Sequence, residues 1–395
     1  MAIQKLTIAE FLQLAKQHPV LDVRSPGEYI HAHIPGAISL PLFTDEERKV
    51  VGTAYKQQGK QPAIKIGLDY FGVKMKGMVE QVEGIIAERK KTTDHRQQTT
   101  NSELPTENGK PKTENIVLVH CWRGGMRSAG VAWLLDLYGF KVYTLVGGYK
   151  AYRKWVLAQF EKDYPFKIIG GYTGSGKTLV LQQLAKQQQP VIDLEALAHH
   201  KGSAFGALGE APQPKQEMFE NLLAGKLADA GYLILDKSTQ DEESINDRAA
   251  SSIQYPVSSI YIEDESQRIG NLQIPMPLWY TMRKSPVYFL DIPFEQRLGY
   301  IVKEYGKFEK EKLVNAIIRL QKKLGGLNMK NAINHLLEND HKACFRILLA
   351  YYDKLYNKAL QNRENLSSLL NKIPCSGVDT VTNTQNILAC LTTTV

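Results

Sequence analysis

Cys121 heads the stretch with the clearest potential for chemistry. The loop that follows it holds two glycines and two cations, Arg123, Gly124, Gly125 and Arg127. Glycines let a loop turn its backbone N–H groups inward toward one point. Together with arginine charges, such a loop favours a thiolate and also binds an oxyanion. We therefore predict that Cys121, Arg123 and Arg127 form a catalytic cradle.

Two kinds of reaction use a cradle of this kind. In one, the cysteine carries sulfur or selenium as a persulfide-type anion, and in the other it attacks a phosphate ester. The string His120-Cys121-x-x-Gly124-x-x-Arg127-Ser128 fits the pattern of cysteine phosphatases. The local sequence leaves both reactions open.

A second stretch is built to bind phosphate. Residues 171–178 read Gly-Tyr-Thr-Gly-Ser-Gly-Lys-Thr, a complete Walker A pattern. The backbone N–H groups of such a loop face phosphate oxygens, and three glycines make this possible, Gly171, Gly174 and Gly176. Lys177 reaches a terminal phosphate, and Thr178 can ligate Mg²⁺. These five residues are the predicted binding site, and a pyrophosphate group on any carrier fits the pattern.

The acidic partner of this loop has several candidates. Two apolar runs end in acid, as a Walker B strand requires, and the candidates are Asp236, Glu263, Asp264 and Glu265. The sequence does not choose among them. We assign no metal-ligating residues and make no firm prediction of a cofactor, with Mg²⁺ as a possible companion of the phosphate.

Strands followed by helices must position both loops. An apolar run at 116–120 leads to Cys121, and an apolar helical pattern covers 129–138. In the same way a strand at 166–169 leads to the Walker A loop, and a helix follows at 179–185. A helix N-terminus offers unpaired N–H groups and a partial positive charge to an anion. Both regions are therefore predicted to be α/β with parallel sheets.

Composition indicates a globular protein with several domains. The chain has 395 residues, 43% of them hydrophobic and 23% charged. The net charge of +8 leans toward a polyanionic partner. Its four cysteines are widely spaced, which argues against a disulfide framework or a zinc site and fits a reducing cytoplasm. No signal peptide and no run of about 18 apolar residues is present, so we expect a cytoplasmic location without a membrane span.

The N-terminal third resembles the rhodanese domain. Residues 22–37 follow the pattern Asp-x-Arg-x-x-x-Glu-Tyr-x-x-x-His-Ile-x-Gly-Ala, with Asp22 and Arg24 as structural groups near the cysteine loop. His33 is interpreted as a loop histidine without a catalytic role. Five residues separate Cys121 from Arg127, a larger loop than in typical sulfurtransferases. We expect it to accommodate a phosphate-sized or selenium-bearing group better than thiosulfate.

The combination of this domain with a Walker A loop resembles the bacterial tRNA 2-selenouridine synthase family. The strings at 191–206 and 262–270 and the loop Cys-Trp-Arg-Gly-Gly-x-Arg-Ser carry the resemblance over nearly the whole chain. It implies that sulfur of a wobble 2-thiouridine in tRNA is replaced by selenium from selenophosphate, via a geranylated intermediate made from geranyl diphosphate. It also implies that Lys177 and Thr178 hold the diphosphate, while Cys121 is the nucleophile or selenium carrier. A selenophosphate-supplying enzyme is a further possible partner.

We predict three segments. A rhodanese-like domain covers 1–155, with a mobile insertion at about 89–115 whose polar loop begins at 92, and a P-loop domain covers 156–292. A basic helical region covers 293–395, where residues 293–373 carry 15 Lys and Arg against 8 Asp and Glu. This charge, with interleaved tyrosines, suits RNA; the tyrosines are Tyr305, Tyr351, Tyr352 and Tyr356.

Two other classes of function stay open on the residues alone. One is a sulfurtransferase or cysteine phosphatase fused to a nucleotide-binding module, although no acid loop for a phosphatase leaving group is visible. The other is an RNA-binding protein without catalysis. An intact cysteine cradle and an intact Walker A loop argue against an RNA-binding protein without catalysis.

Overall fold

The computed structural model describes residues 3–98, 115–231 and 259–392, with the side chains of 92–98 left out. The chain divides into two compact units, Met1–Leu157 and Ala158–Val395. The P-loop and the basic helical region, predicted as separate segments, fall within the same unit. Among the helices of the described ranges, none has the length and apolar character needed to cross a membrane.

Unit 1 alternates strands and helices around one sheet. In chain order its elements are β1 Gln4–Leu6, α1 Ile8–Ala15, β2 Val20–Asp22, α2 Pro26–His31, β3 Ile38–Ser39, α3 Asp45–Gln58, α4 Lys60–Gly72, α5 Met75–Gln98, β4 Ile116–His120, α6 Met126–Tyr138, β5 Lys141–Leu145 and α7 Gly148–Phe160. The sheet order is β1-β5-β4-β2-β3, and every pair is parallel. The α/β prediction is confirmed, and the carboxyl ends of β2 and β4 share one edge of the sheet.

The strands of unit 1 are apolar in sequence because they lie in the hydrophobic core. Strands β2 and β4 are buried on both faces along almost their whole length, as parallel strands covered by helices are, and β5 is partly buried on one face. Helices α5 and α6 pack onto the same core through residues such as Val82 and Val131. The sheet edge that carries Cys121 is therefore held by a continuous apolar layer.

The prediction of a loop from residue 92 is wrong at its beginning. Helix α5 continues to Gln98, because the polar residues 92–98 contain no glycine or proline that would end a helix already formed. The rest of the predicted mobile insertion, residues 99–114, lies outside the described residues.

Unit 2 places its Walker A strand in the middle of a second parallel sheet. Its elements are β6 Phe166–Gly171, α8 Lys177–Lys186, β7 Val191–Ile192, α9 Leu194–Ala198, α10 Gln216–Gly231, β8 Ile260–Glu263, β9 Arg268–Ile269, β10 Leu272–Gln273, α11 Met276–Lys284, β11 Val287–Asp291, α12 Phe294–Tyr305, α13 Lys310–Arg319, α14 Gln321–Leu324, α15 Gly326–Leu337, α16 His341–Gln361, α17 Leu366–Leu369, β12 Leu370–Pro374 and α18 Thr380–Thr392. The order is β12-β11-β6-β8-β7, parallel throughout. Strands β7 and β8 thus end on the same side as the phosphate loop.

The C-terminal region is helical as predicted, with one addition. Helices α12, α13, α15 and α16 form their own apolar core around residues such as Leu313 and Phe345. Strand β12 then pairs with β11 and extends the P-loop sheet, and α18 packs on α8. The last part of the chain is therefore a structural part of the sheet that carries the Walker A loop.

The turn between β5 and α7 is hydrogen-bonded to the cysteine loop. Backbone N–H groups of Tyr149 and Lys150 donate to the carbonyls of Cys121 and Trp122 at 2.8 and 3.0 Å. Gly148 has φ +57°, and a Cβ there would lie 2.3 Å from the Cys121 carbonyl oxygen. Glycine is required because the two backbones approach too closely for any side chain.

This close approach gives a stability prediction. Gly148→Ala should destabilise the protein by about 2–3 kcal/mol, since the added carbon forces the two loops apart and φ is left-handed. Thermal unfolding measures the effect. Gly125→Ala is the matched control, because its φ is −99° and a Cβ would meet nothing within 4 Å. Equal melting temperatures for the two variants would contradict this account of the turn.

Candidate functional site

Cys121 lies directly after β4 and before the N-terminus of α6, as predicted from the sequence. Its residue surface is only 3% exposed. The thiol sulfur lies 3.2 Å from the Ser128 hydroxyl, and the Gly125 N–H donates to it at 3.3 Å. The loop therefore points donors at the sulfur, as a nest does.

These donors decide the ionisation of the thiol. Burial would raise the pKa of Cys121, but hydrogen bonds from Ser128 and from the backbone N–H groups of Arg123 and Gly125 outweigh it. The net effect is a pKa below the usual cysteine value, so the thiolate is favoured. Ser128 stood in the sequence string without an assigned role, and its position in the first turn of α6 is the signal that could have identified it.

The two arginines of the cradle differ. Arg127 donates to Glu28 Oε2 at 2.8 Å, which balances its charge. The Arg127 contact also helps hold the pKa of Glu28 low, against burial that would raise it. Arg123 is exposed on the loop. Two free cations were expected beside the sulfur, whereas here Arg127 is paired with Glu28 and the groups that contact the sulfur are the Ser128 hydroxyl and the Gly125 N–H.

A buried ion pair between Arg24 and Asp22 lies beside the turn that contacts the cysteine loop. Arg24 is 1% exposed, contacts Asp22 through Nε and Nη2, and donates to the Ala32 carbonyl at 2.7 Å. Its guanidinium lies 3.8 Å from the centre of the Tyr149 ring. Asp22 and Arg24 are therefore structural groups, as interpreted from the sequence, and they tie β2 to the turn under Cys121.

Two histidines of unit 1, His120 and His33, have contacts that fit structural roles. Full burial lowers the pKa of His120 to about 4, although Asp22 opposes this, so its ring is neutral at physiological pH. The His33 Nδ1–H donates to the Tyr29 carbonyl at 2.9 Å, and the ring stacks on the Tyr29 ring. The interpretation of His33 as a loop histidine agrees with these contacts.

The Walker A loop has the expected strand–loop–helix form. Gly171, Gly174 and Gly176 all have φ in the left-handed range, at +153°, +81° and +72°. A Cβ on Gly174 would lie 2.7 Å from Ile301, so α12 leaves room only for glycine. Lys177 Nζ donates to the Gly171 carbonyl at 3.3 Å, and Thr178 stands next to it at the start of α8. These five residues are brought together as predicted.

Long-range bonds join this loop to the C-terminal helices. Arg297 on α12 forms a bidentate pair with Asp353 on α16 and donates to the Thr173 carbonyl at 3.1 Å. The Gly171 N–H donates to the Tyr356 hydroxyl at 3.3 Å. The helical region thus fixes the shape of the phosphate loop.

Among the acids, one unassigned residue contacts the loop directly. The Thr178 hydroxyl donates to Glu195 Oε2 at 2.9 Å, and the Glu195 N–H donates to Glu263 Oε1 at 2.7 Å. Asp264 instead accepts from Tyr356 at 2.6 Å and from Arg363 at 2.9 Å. The fourth candidate, Asp236, lies outside the described residues. Glu195 had no predicted role, because it follows a strand of only two residues.

Burial and mutual repulsion act on these carboxyl groups together. Burial, together with the charge of Asp193, raises the pKa of Glu195, although Lys177 and Thr178 oppose the rise. Burial raises the pKa of Glu265 to about 8, with Glu195 adding to it, and Glu263 is raised by the same causes. Among the described residues no group of three or more His, Cys, Asp or Glu could hold a metal ion. The Thr178 and Glu195 side chains instead fit an Mg²⁺ ion whose other ligands come from a bound phosphate.

A cavity of about 1050 Å³ opens on this loop. Its polar side holds Lys177, Thr178 and Lys201. Its other walls are largely aromatic and come from α11, α12 and α16, with Trp279, Tyr280, Tyr300, Tyr305, Tyr352 and Tyr356. Three of the four tyrosines expected to stack on RNA therefore face this cavity, and Tyr351 packs against the helical core.

Two family models match the chain. The one described as tRNA 2-selenouridine synthase AAA domain matches residues 164–373, and the one described as Rhodanese-like domain matches residues 7–68. The second match ends before Cys121, but β4 and β5 lie in the same sheet as the matched strands.

Curated relatives cover most of the chain. A tRNA 2-selenouridine synthase of Sulfurovum sp. is 31% identical over 89% of this chain and 91% of its own length. The protein of the same name from Bdellovibrio bacteriovorus is 31% identical over 92% and 94%. The solved structure of Saccharomyces cerevisiae Ygr203w, a homolog of single-domain rhodanese and Cdc25 phosphatase catalytic domain, matches 38% of this chain and 80% of its own at 15% identity and a TM-score of 0.21.

The donors around Cys121 give a pH prediction. Removing the hydroxyl in Ser128→Ala destabilises the thiolate, so the pKa of Cys121 rises and its alkylation profile moves to higher pH. Iodoacetamide labelling followed by peptide mass spectrometry measures this. Cys390, in α18, is the internal control and should keep its profile. An unchanged Cys121 profile would show that Ser128 does not stabilise the thiolate.

Proposed function

The chain belongs to the tRNA 2-selenouridine synthase family, and from this premise we propose that it replaces the sulfur of wobble 2-thiouridine in tRNA with selenium from selenophosphate. The reaction runs through a geranylated intermediate made from geranyl diphosphate. One observation carries the proposal: a single chain holds a cysteine cradle that favours the thiolate and a Walker A loop that opens on an aromatic cavity. A reaction with one chemical step would need only one of these two sites, so the presence of both supports a reaction with two steps.

The first step is assigned to the P-loop. The thiocarbonyl sulfur of the base attacks the first carbon of the geranyl group, and the carbon–oxygen bond breaks with its electron pair leaving on diphosphate. Lys177, Thr178 and the N–H groups of the loop stabilise that leaving charge. The aromatic walls of the cavity give an apolar chain a place beside the phosphates. Geranylation turns the sulfur into a better leaving group.

The second step is assigned to Cys121. Its thiolate is the proposed nucleophile, since the loop stabilises an anion at this position. The thiolate attacks the phosphorus of selenophosphate, and the phosphorus–selenium bond breaks with its electron pair leaving on selenium; water then removes the phosphoryl group from the sulfur as inorganic phosphate. Arg123 neutralises the selenium anion together with the N–H donors, and Arg127 takes part by holding Glu28 and the start of α6. The released selenide forms a bond to C2 of the base, and the carbon–sulfur bond breaks with its electron pair leaving on geranylthiolate.

The remaining assignments follow from the reaction. The enzyme modifies tRNA, and the excess of Lys and Arg in residues 293–373 supports contact with its backbone. An enzyme that supplies selenophosphate is a further proposed partner, and the proposed location is the cytoplasm. No cofactor is proposed beyond Mg²⁺ at the diphosphate.

Nucleoside mass spectrometry tests the proposal. A bacterial strain that lacks its own family member is complemented with wild type, Cys121→Ala or Lys177→Ala and grown with selenite. Wild type should give 2-selenouridine, Cys121→Ala should stop at thio- or geranylthiouridine, and Lys177→Ala should lack the geranylated form. Lys186→Ala, at the far end of α8, and Cys390→Ala are the matched controls and should behave as wild type.

The same experiment separates the alternatives. If no strain changes its selenium nucleosides, the tRNA reaction is wrong. Turnover of thiosulfate or aryl phosphates by the purified chain would then favour a sulfurtransferase or a cysteine phosphatase fused to a nucleotide-binding module.

A further inference from the structure

The phosphate loop faces an electrostatic conflict. Its N–H groups and Lys177 are arranged for an anion, yet Asp193, Glu195, Glu263 and Glu265 interact with one another beside it. Lys201, the other cation that acts on Glu195, also pairs with Glu210 at 3.5 Å. A diphosphate bound at the loop would lie beside the Glu195 carboxyl group, which accepts from Thr178, and both can be charged there only if a cation lies between them.

The geometry of one pair of oxygens fits such a cation. Thr178 Oγ1 and Glu195 Oε2 lie 2.9 Å apart. Mg²⁺ binds oxygen at about 2.0–2.1 Å in an octahedron, so two neighbouring ligands are separated by about 2.9 Å. The two oxygens therefore already span one edge of an Mg²⁺ octahedron. The other positions fall to phosphate oxygens and water, as is usual for this ion.

A buried carboxyl group holds Glu195 in place. Glu263 is 0% exposed, and its Oε1 accepts the Glu195 N–H. Its Oε2 is buried without a hydrogen-bond partner. A buried acid with one unpaired oxygen is costly, and a divalent cation with its water shell beside Glu195 relieves that cost.

The other candidate acids have different contacts. Asp264 is engaged by Tyr356 and Arg363. Glu265 packs against Gly202, where a Cβ would lie 2.5 Å from its Oε2. Neither is bonded to Thr178.

We propose that Glu195, together with Thr178, ligates the divalent cation of a diphosphate bound at the Walker A loop, and that Glu263 is its positioning residue. The acid of this site thus follows β7 and is not one of the three acids at the end of β8. The inference rests on the proposed function only for the identity of the organic group attached to the diphosphate, which is geranyl in that proposal.

The test uses the full chain, Mn²⁺ as the metal and inorganic pyrophosphate as the anion. Electron paramagnetic resonance of free Mn²⁺ gives the affinity for the metal when pyrophosphate is present. Glu195→Gln and Thr178→Ala should each weaken Mn²⁺ binding at least tenfold, and the double variant should lose little more. Glu304→Gln removes a carboxylate that lines the same cavity and should stay within twofold of wild type.

A second readout separates ligation from damage to the loop. Without metal, Glu195→Gln should bind pyrophosphate as tightly as wild type or more tightly, since a repelling charge is gone. Unchanged Mn²⁺ affinity in Glu195→Gln would overturn the proposal, and so would loss confined to Glu265→Gln or loss of metal-free pyrophosphate binding. Because pyrophosphate carries no geranyl group and no tRNA is present, this result is independent of the nucleoside experiment.

Discussion

Both sites depend on the same constraint: a parallel strand ends, a short loop turns, and a helix begins with unpaired N–H groups. In unit 1 this places donors around the sulfur of Cys121, and in unit 2 it places them around the position of a phosphate. The N–H groups cannot find partners within their own helices. They are therefore available to an anion, and each loop must stay open enough to admit one.

The two units keep their loops open by different means. In unit 1 the Asp22–Arg24 pair and the Gly147-Gly148 turn hold the cysteine loop from below. In unit 2 the support comes from distant parts of the chain, through Arg297 and Tyr356. Buried charged pairs of this kind contribute chiefly by fixing a geometry, because desolvation offsets much of their attraction. The rigidity of each loop thus depends on residues outside the loop itself.

Much of this arrangement could be predicted from local sequence. Cys121 with its glycines, and the run from Gly171 to Thr178, are contiguous strings whose form follows from short-range geometry. Contacts between distant residues could not be predicted. Glu28 neutralises Arg127 across 99 positions, and Tyr356 meets Gly171 across 185. Glu195 was missed because its strand is too short to give a periodic signal, and β12 was missed because its apolar residues continue a helical spacing.

In the proposed reaction one chain carries out two steps at two sites. A decisive experiment supplies the purified protein with tRNA that is already geranylated, plus selenophosphate, and follows 2-selenouridine by mass spectrometry. Lys177→Ala should form it at the wild-type rate, since the step at the P-loop has been bypassed, whereas Cys121→Ala should form none. If Lys177→Ala remains inactive on geranylated tRNA, or Cys121→Ala is active, the division of the steps between the two sites is contradicted.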